Sequence, residues 1–320
     1  MVPRVVLVGE ALVDLLGEGG NTLEEARSFR PSPGGAPANA AAAAARAGAP
    51  TAFVGCVGAD AFGRMVLQAL GRSGVDTRGV RTAQGVATTL AFVMPFGHGE
   101  MAFQFLRGAD ALLAPADLPP AALDGVGALG CGGVALSAPA SREATLHALR
   151  AARGVGAATV VDVNYRSFLW PSPAAAADAL GQAIPWATTL KCNEAELALL
   201  CGTEGGVEAR ASRLLAATGL SAVVVTLGEH GAAWVGASFS CRHSGFAVQA
   251  VDAVGAGDCF MGTLLAALAG MPAGPADAAA AAALLRRCNA AAALSTSRPG
   301  AIDAMPTSAE VEGFLAAAAG

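Results

Sequence analysis

A turn of small residues that ends in an aspartate, Gly255-Ala256-Gly257-Asp258, lies between two segments of different periodicity. Residues 245–251 alternate between apolar and polar, which predicts a half-buried strand. Residues 259–268 are apolar and contain no helix breaker, which predicts a buried helix. The turn is therefore expected to join a strand to the N-terminus of a helix, and its small residues allow a ligand to approach the backbone closely.

The start of such a helix is a predicted anion site. The first amides of a helix have no acceptor within it, and the helix dipole is positive at that end. Asp258 then has two interpretations. It can be a helix-start residue that the dipole stabilises, or a base that takes the proton of a hydroxyl attacking a bound phosphate. An ordinary aspartate is ionised at pH 7, so the second role needs no large pKa shift. By itself, the turn favours the first interpretation.

Length and composition leave room for one large α/β domain or two smaller ones, since the chain has 320 residues and is 54% apolar. Much of this apolar content is alanine, which forms helices but buries little area per residue. The net charge of 20 − 25 = −5, without a basic run, argues against a nucleic-acid surface. No apolar run is long enough to span a membrane.

The N-terminal residues predict a first strand rather than a secretory signal, because Glu10 and Asp14 follow the apolar run 5–8 directly. The seven cysteines include no Cys-x-x-Cys pair, and the four histidines have no metal-ligand spacing. Cys259 beside Asp258 is interpreted as a packing residue. These features are typical of reduced thiols in a cytoplasmic protein.

Strands and helices are predicted to alternate along most of the chain. Residues 4–8, 51–57, 127–137, 158–163 and 221–226 are expected strands, with helices between them. A predicted hairpin, residues 86–96 and 100–105 around Gly97-His98-Gly99, interrupts this alternation. The order predicts one doubly wound α/β domain with helices on both faces of the sheet. Because no Walker A string occurs, a P-loop kinase is excluded.

Two further stretches are candidates for ligand binding. Asp14 follows the first strand, and ligands of open parallel sheets bind beyond the carboxyl ends of the strands. It is either a hydrogen-bond acceptor for substrate hydroxyls or a solvated turn residue. Gly34-Gly35 forms a glycine-rich loop before a long alanine helix that opens near Asn39. This loop is either a ligand contact or an ordinary glycine turn.

Four motifs in order resemble the signatures of the PfkB, or ribokinase-like, family of sugar kinases. They are Gly34-Gly35-Ala36-Pro37-Ala38-Asn39, Asp162-x-Asn164-x-Arg166, Asn193-x-x-Glu196 and Asp252-x-x-Gly255-Ala256-Gly257-Asp258. The resemblance extends from about Val5 to Thr307 and is nearest to the fructokinase branch. With it, the catalytic interpretation of Asp258 becomes the preferred one.

This resemblance implies a ribokinase-like fold, a single domain over residues 1–320, and a small β-sheet lid built from about 12–32 and 86–107. It implies ATP-dependent phosphorylation of D-fructose to fructose 6-phosphate, with Mg²⁺, a possible activating K⁺ and a homodimer formed through the lid. A 2-keto-3-deoxygluconate kinase, a ribokinase, a nucleoside kinase and a non-catalytic sugar-binding relative remain alternatives.

The resemblance also implies roles for individual residues. Asp258 is the base, and the amides of Gly255, Ala256 and Gly257 hold the developing charge. The sugar residues are Asp14, Gly34, Gly35, Asn39, Phe103, Phe105, Arg107 and Arg166. The ATP residues are Lys191, Asn193, Glu196, Thr226, Gly228, Gly231 and Asn289. Asn193 and Glu196 hold Mg²⁺ through water, and the K⁺ residues are Asp252, Ser295, Arg298 and Gly300.

Asn193 and Glu196 also have the spacing of a helix cap with a first-turn glutamate, and both roles are compatible. The chain departs from the family at two positions. Val254 replaces a common threonine beside the anion turn, and Leu106 replaces the tyrosine that often precedes the arginine in fructokinases. The lost hydroxyls are expected to loosen the ATP or cation site and to change hydroxyl recognition.

Overall fold

The computed structural model describes residues 2–96 and 100–318, so the predicted turn Gly97-His98-Gly99 lies outside the described residues. The strands, in chain order, are β1 Arg4–Val8, β2 Leu12–Glu18, β3 Ser28–Gly34, β4 Thr51–Gly58, β5 Val75–Ala83, β6 Leu90–Phe96, β7 Glu100–Leu106, β8 Val126–Gly132, β9 Ala158–Asp162, β10 Thr189–Asn193, β11 Ala222–Thr226, β12 Ala232–Gly236 and β13 Ser240–His243.

The α-helices of the described residues begin and end as follows: α1 Ala36–Arg46, α2 Ala61–Arg72, α3 Gly133–Leu136, α4 Pro139–Gly154, α5 Pro173–Ala183, α6 Glu194–Cys201, α7 Val207–Thr218, α8 Ala256–Leu268, α9 Ala278–Thr296 and α10 Ser308–Ala317. Asp60 caps α2, because its carboxylate accepts a hydrogen bond of 2.8 Å from the amide of Gly63. No helix in the described part of the chain is long and apolar enough to cross a membrane.

The main sheet of the described residues has the strand order β13-β12-β11-β10-β9-β8-β1-β4-β5. Neighbouring strands are parallel from β11 to β5, whereas β12 is antiparallel to both of its neighbours, β11 and β13, at one edge. The chain moves from β1 outward through β4 to one edge and later from β8 toward the other. The order therefore reverses between β1 and β8, which is where a doubly wound sheet opens a crevice for ligands.

Helices cover both faces of this sheet, as the buried run in β1 predicts. Val5 and Leu7 pack into a core that includes residues of α1, α2, α8 and α9. Val6 and Val8 pack into a second core that includes residues of α4, α5 and α7. Because successive side chains of a strand point to opposite faces, one short strand contributes to two cores.

A second, small sheet has the order β3-β2-β6-β7. β2 begins only a few residues after β1 ends, so the chain passes directly from the main sheet to the small one. β6 and β7 form the predicted antiparallel hairpin, although β6 begins at Leu90 rather than at Val86. Asp14 therefore lies within a strand of the small sheet and not in a turn.

Two strand predictions were wrong. Residues 244–250 contain no regular structure, because the amides of Val251 and Asp252 donate to the carbonyl of Thr296 instead of to a neighbouring strand. The strand predicted over 127–137 ends at Gly132, where the short helix α3 begins. β5 was not predicted, since Asp76, Arg78 and Gly79 interrupt its apolar pattern.

Candidate active site

A cavity of about 630 Å³ lies between the small sheet and the carboxyl ends of the main strands. The small sheet contributes Leu12, Asp14 and Leu16 of β2, Ala91 and Val93 of β6, and Phe103 and Phe105 of β7. The main sheet and its loops contribute Glu10, Gly35, Asn39, Asp162, Asn164, Arg166, Lys191, Asn193, Glu196, Thr226 and the turn from Ala253 to Asp258 apart from Ala256. Neither sheet alone encloses this space.

Asp258 lies at the start of α8 but does not cap it. The N-cap residue is Gly255, which has a left-handed φ of 81° and makes no side-chain capping bond. The Asp258 carboxylate instead accepts a hydrogen bond of 2.8 Å from the side-chain amide of Asn39 in α1. The carboxylate and the amide both line the cavity. Asp258 is thus the acidic residue of the first helical turn, as the helix-start interpretation expected, and its carboxylate also lines the cavity.

A close crossing of α1 and α8 brings this pair together. A Cβ on Gly262 would lie 2.2 Å from the carbonyl oxygen of Ala40 and 2.6 Å from the Cβ of Ala43. Gly262 is about one helical turn after Asp258, and Ala40 follows Asn39 directly. The missing side chain at Gly262 and the small alanines of α1 thus let the two helix N-termini meet.

The pKa of Asp258 is raised above that of an ordinary aspartate. Burial is the main cause, while the hydrogen bond from Asn39 and the charge of Lys191 lower the pKa. The two neighbours therefore favour the ionised form of a carboxylate that its surroundings desolvate. This ionised form is the one that can accept a proton from a bound hydroxyl.

The turn from Gly255 to Asp258, which we call the anion turn, lies next to a buried ion pair. Lys191 Nζ is 2.8 Å from Asp162 Oδ2, and both side chains are buried. A Cβ on Gly257 would lie 3.3 Å from this ammonium nitrogen, so the glycine lets the turn approach the positive charge. Burial disfavours the charge of Lys191, but the carboxylate of Asp162 outweighs it and raises the pKa of Lys191. The amide of Ala256 donates to the carbonyl of Ala253 at 3.3 Å, so it is partly engaged.

Asp14 forms the opposite wall of the cavity together with the glycine loop. A Cβ on Gly34 would lie 2.6 Å from Asp14 Oδ2, so this position has no room for a side chain. Gly35, but not Gly34, lines the cavity. Burial raises the pKa of Asp14 to about 7, and the charge of Asp258 adds to this, while Arg166 opposes it.

Three phenylalanines close the side of the cavity between the small sheet and the body. Phe103 stacks on Phe168 with ring centroids 6.1 Å apart, and Phe105 lies against the same ring at 5.7 Å. Phe168 also lines the cavity, but no motif singled it out. The available signal was an aromatic ring in the short loop that follows Arg166 in the Asp162-x-Asn164-x-Arg166 motif.

Arg107 does not line the cavity, in contrast to the two phenylalanines before it. Its guanidinium donates to Asp110 Oδ2 at 3.1 Å, to the carbonyl of Val134 at 3.0 Å and to the hydroxyl of Ser137. These contacts tie the segment after β7 to helix α3. Arg166 does line the cavity and is exposed to it.

The predicted cap of α6 is present as a reciprocal pair. Asn193 Oδ1 accepts from the amide of Glu196, and Glu196 Oε2 accepts from the amide of Asn193, each at 2.8 Å. The second oxygen of Glu196 accepts from the amide of Tyr165 at 2.8 Å. Both side chains line the cavity, as does Thr226 at the end of β11.

Other residues assigned to the ATP end do not line the cavity. Gly228 and Gly231 form the turn after β11, and the carbonyl of Gly231 accepts from the amide of Leu227 at 2.8 Å. Asn289 is buried, and its amide lies 3.0 Å from His243 Nδ1. These three residues therefore shape the loops beside the cavity rather than its wall.

Two of the predicted potassium residues, Asp252 and Gly300, join the anion turn to the loop after α9 in a contact that we call the latch. Asp252 accepts from the amide of Val254 at 2.9 Å and from the amide of Gly300 at 3.0 Å. Ser295 donates to the carbonyl of Ala292 at 2.8 Å. Arg298 pairs with Glu310 at 2.5 Å, so its side chain is directed to α10. The latch fixes the anion turn against the end of α9.

The model of the pfkB family of carbohydrate kinases matches residues 2–308 of this chain. The chain belongs to that family. It is an ATP-dependent sugar kinase that transfers a phosphoryl group to a hydroxyl. The motifs that carried the resemblance in the sequence all lie within the matched residues.

Curated relatives and solved structures agree with this family. The chain is 37% identical over 314 residues to probable fructokinase-4 of Arabidopsis thaliana, covering 97% of this chain and 96% of the relative. It is 37% identical to fructokinase-1 of Zea mays over 96% of each chain. The ATP-bound fructokinase of Xylella fastidiosa matches with a TM-score of 0.89 at 28% identity, over 99% of each chain. These neighbours show the ribokinase-like fold with a large central sheet and a small second one.

Proposed function

We propose that this kinase phosphorylates D-fructose to fructose 6-phosphate with ATP as the donor. The relatives named as fructokinases, at 36–37% identity, support this substrate. A double mutant of the Vibrio cholerae fructokinase, with fructose, ADP and potassium bound, matches with a TM-score of 0.86 at 31% identity over 98% of each chain. The observation that carries the proposal is the Asp258 carboxylate, held by Asn39 at the anion turn and facing the cavity.

In this proposal Asp258 is the general base. It takes the proton of the attacking sugar hydroxyl, and the amides of Gly255 and Gly257 stabilise the charge that develops on the transferred phosphate. Lys191 below the turn and Arg166 at the cavity wall add positive charge on the same side. Phosphoryl transfer depends mainly on position and electrostatics, so no covalent intermediate with the protein is required.

A magnesium ion would be held mainly by the nucleotide phosphates and by water. No group of three or more His, Cys, Asp or Glu side chains among the described residues is placed to hold a metal ion directly. Both oxygens of Glu196 already accept backbone amides, which leaves their remaining lone pairs for bound water. Asp162 Oδ1 is a buried cavity oxygen without a hydrogen-bond partner among the described residues. Asn193 and Glu196 would hold a magnesium ion through water, and the ion would supply positive charge to the nucleotide phosphates.

The three phenylalanines exclude water from the sugar end. Phe103 and Phe105 belong to the small sheet, whereas Phe168 belongs to the body, so their contact closes the sheet over the cavity. Exclusion of water strengthens the electrostatic interactions inside the site and prevents transfer of the phosphoryl group to water. We assign the small sheet the role of a lid on this basis.

The unpaired, mostly buried cysteines support a reducing, cytoplasmic setting.

The proposal is tested by measuring ADP release with a panel of acceptors at equal concentration. The panel contains D-fructose, D-ribose, 2-keto-3-deoxygluconate, adenosine and aminoimidazole riboside, and the last is included because an aminoimidazole riboside kinase of Salmonella enterica matches with a TM-score of 0.82 at 29% identity. We expect the highest kcat/KM with fructose and a product phosphorylated at O6. A higher kcat/KM with another acceptor would identify that acceptor, rather than fructose, as the preferred substrate. Release of ADP at the background rate with every acceptor would indicate a sugar-binding relative without catalysis.

Potassium is proposed as an activator that binds between the anion turn and the 295–300 segment. The support is the latch, in which the Asp252 carboxylate accepts from the amides of Val254 and Gly300 and so joins the two segments. Ordering of this latch by a bound cation would hold the anion turn in place. We predict that turnover is faster in potassium chloride than in tetramethylammonium chloride of the same ionic strength. Equal turnover rates in the two salts would contradict the proposed potassium site.

A further inference from the structure

Glu10 is a cavity residue to which no role has been given. It follows β1 at the reversal of the strand order, and only 2% of the residue is exposed. The N-terminus of α1 packs directly on its backbone, because a Cβ on Gly35 would lie 2.7 Å from the Glu10 carbonyl oxygen. Its side chain lines the same cavity as Asp14 and Asp258. Glu10 is thus fixed by the backbone at the bottom of the proposed sugar end.

The carboxyl group of Glu10 lacks the partners that a buried carboxylate needs. Its Oε2 atom is sealed from solvent and has no hydrogen-bond partner among the described residues. The charged groups that face it are Asp110, Arg107 and Asp258. The guanidinium of Arg107 is already committed to Asp110, Val134 and Ser137. A buried carboxyl oxygen without a partner calls for one supplied by a ligand or by water, and Glu10 is one of the residues that line the ligand cavity.

The surroundings of Glu10 favour the neutral form of its carboxyl group. Burial is the main cause and raises the pKa of Glu10 to about 8, and the negative charges of Asp110 and Asp258 act in the same direction. A hydrogen bond with the backbone of Glu10 and the charge of Arg107 lower the pKa but do not reverse the shift. A neutral carboxyl group has one O–H donor in addition to its acceptor lone pairs, whereas an ionised one only accepts.

We propose that Glu10 is a sugar-binding residue whose carboxyl group donates a hydrogen bond to a hydroxyl oxygen of the bound sugar. Two of the other acidic residues of the cavity, Asp14 and Asp258, act as hydrogen-bond acceptors for the sugar in this inference, which rests on the proposed function. A hydroxyl that accepts from Glu10 keeps its own hydrogen free to donate to one of these acceptors. The three acidic groups thus divide into one donor and two acceptors, which fixes the orientation of the sugar hydroxyls.

Two substitutions separate donation by Glu10 from a merely structural role. Glu10→Gln keeps the shape and a neutral donor, so at pH 7 we expect a sugar KM within about threefold of the wild-type value. Glu10→Ala leaves a sugar hydroxyl without its donor, so we expect a sugar KM about ten-fold higher and an unchanged KM for ATP. Glu143→Ala is the matched control, because Glu143 is exposed on α4 and lies outside the cavity lining. It should leave both KM values unchanged.

The pH profile is the decisive measurement, and it remains usable if Glu10→Ala does not fold. In the wild type, the donor is lost as the carboxyl ionises, so kcat/KM for the sugar should fall as the pH rises above about 8. Glu10→Gln cannot ionise and should lack this alkaline decline. The same decline in both proteins, or a ten-fold higher sugar KM in Glu10→Gln at pH 7, would overturn the inference and leave the proposed function intact. Absence of sugar phosphorylation by the wild type would overturn both.

Discussion

Asp258 and Asn39 are 219 positions apart in the chain and 2.8 Å apart in the structure. The sequence placed each at the start of a helix, and it predicted a role in the site for both. It could not predict that they hydrogen-bond to each other, because a single sequence does not show which helices cross. The raised pKa of Asp258 was missed for the same reason, since it depends on burial by distant residues.

The first residue-scale prediction concerns the sugar end. Replacement of Asp14 by alanine, Asp14→Ala, removes the acceptor that β2 presents to the cavity. A bound hydroxyl left unpaired costs on the order of 1–3 kcal/mol. We expect the KM for the sugar to rise about ten- to a hundred-fold, because 1.4 kcal/mol corresponds to a factor of ten. Steady-state kinetics with each substrate varied in turn measures this effect.

The KM for ATP should hardly change in Asp14→Ala, because the residues assigned to the nucleotide lie on or after β10 and β11 of the main sheet, whereas Asp14 lies in the small sheet. Asp124→Ala is the control, since Asp124 is exposed and lies outside the cavity lining. A higher KM for ATP with an unchanged KM for the sugar would show that the sugar and nucleotide ends of the cavity are assigned the wrong way round. Unchanged values for both substrates would return Asp14 to the role of a solvated residue.

At the scale of elements, the crossing of α1 and α8 is what makes the site. The sequence predicted both helices, since each is a mostly apolar run after a glycine-rich turn. It also predicted a strand over residues 245–251, but residues 244–250 form no regular structure. Alternation alone does not form a strand, because a strand needs hydrogen-bond partners for its backbone. The anion turn is held instead by the contacts of Asp252 with the end of α9 and its loop.

The element-scale prediction follows from the helix crossing. Gly262→Ala would place a methyl group 2.2 Å from the carbonyl oxygen of Ala40, so the two helices must move apart. Overpacking of this kind destabilises by typically 1–3 kcal/mol. The separation should also lengthen the hydrogen bond between Asn39 and Asp258 and lower kcat. Urea unfolding and turnover measure the two effects.

A second glycine provides the matched control. Gly313 lies inside α10, and a Cβ added there would meet no atom within 4 Å. Gly313→Ala should therefore be neutral or stabilise by about 0.4–1 kcal/mol, because alanine reduces the conformational freedom of the unfolded chain. Equal effects of Gly262→Ala and Gly313→Ala on stability and kcat would contradict the importance of the crossing.

For the whole molecule, the alternation of strands and helices predicted the doubly wound sheet, and the motifs predicted the family. The enclosed site could be predicted only in part. Phe168 and Glu10 were missed because their significance arises from the meeting of two sheets and from burial. Arg107 was assigned to the cavity by its position after β7, but its guanidinium is held by Asp110 and helix α3.

The small sheet is also the proposed dimer contact. Its edge strands β3 and β7 carry exposed apolar side chains, including Phe29, Phe103 and Leu106. Open sheet edges tend to pair with another chain. We predict a homodimer of twice the 31.3 kDa chain mass by light scattering at micromolar protein. A monomeric mass at that concentration would refute it.

The most direct test of the account as a whole is the turnover of Asp258→Asn. The asparagine oxygen can still accept from Asn39, so the geometry of the helix crossing is preserved while the base is lost. We predict that sugar and ATP bind with nearly wild-type affinity in calorimetry and that kcat falls by about 10² to 10⁴-fold. Turnover near the wild-type rate in this variant would show that Asp258 is not the base of the reaction.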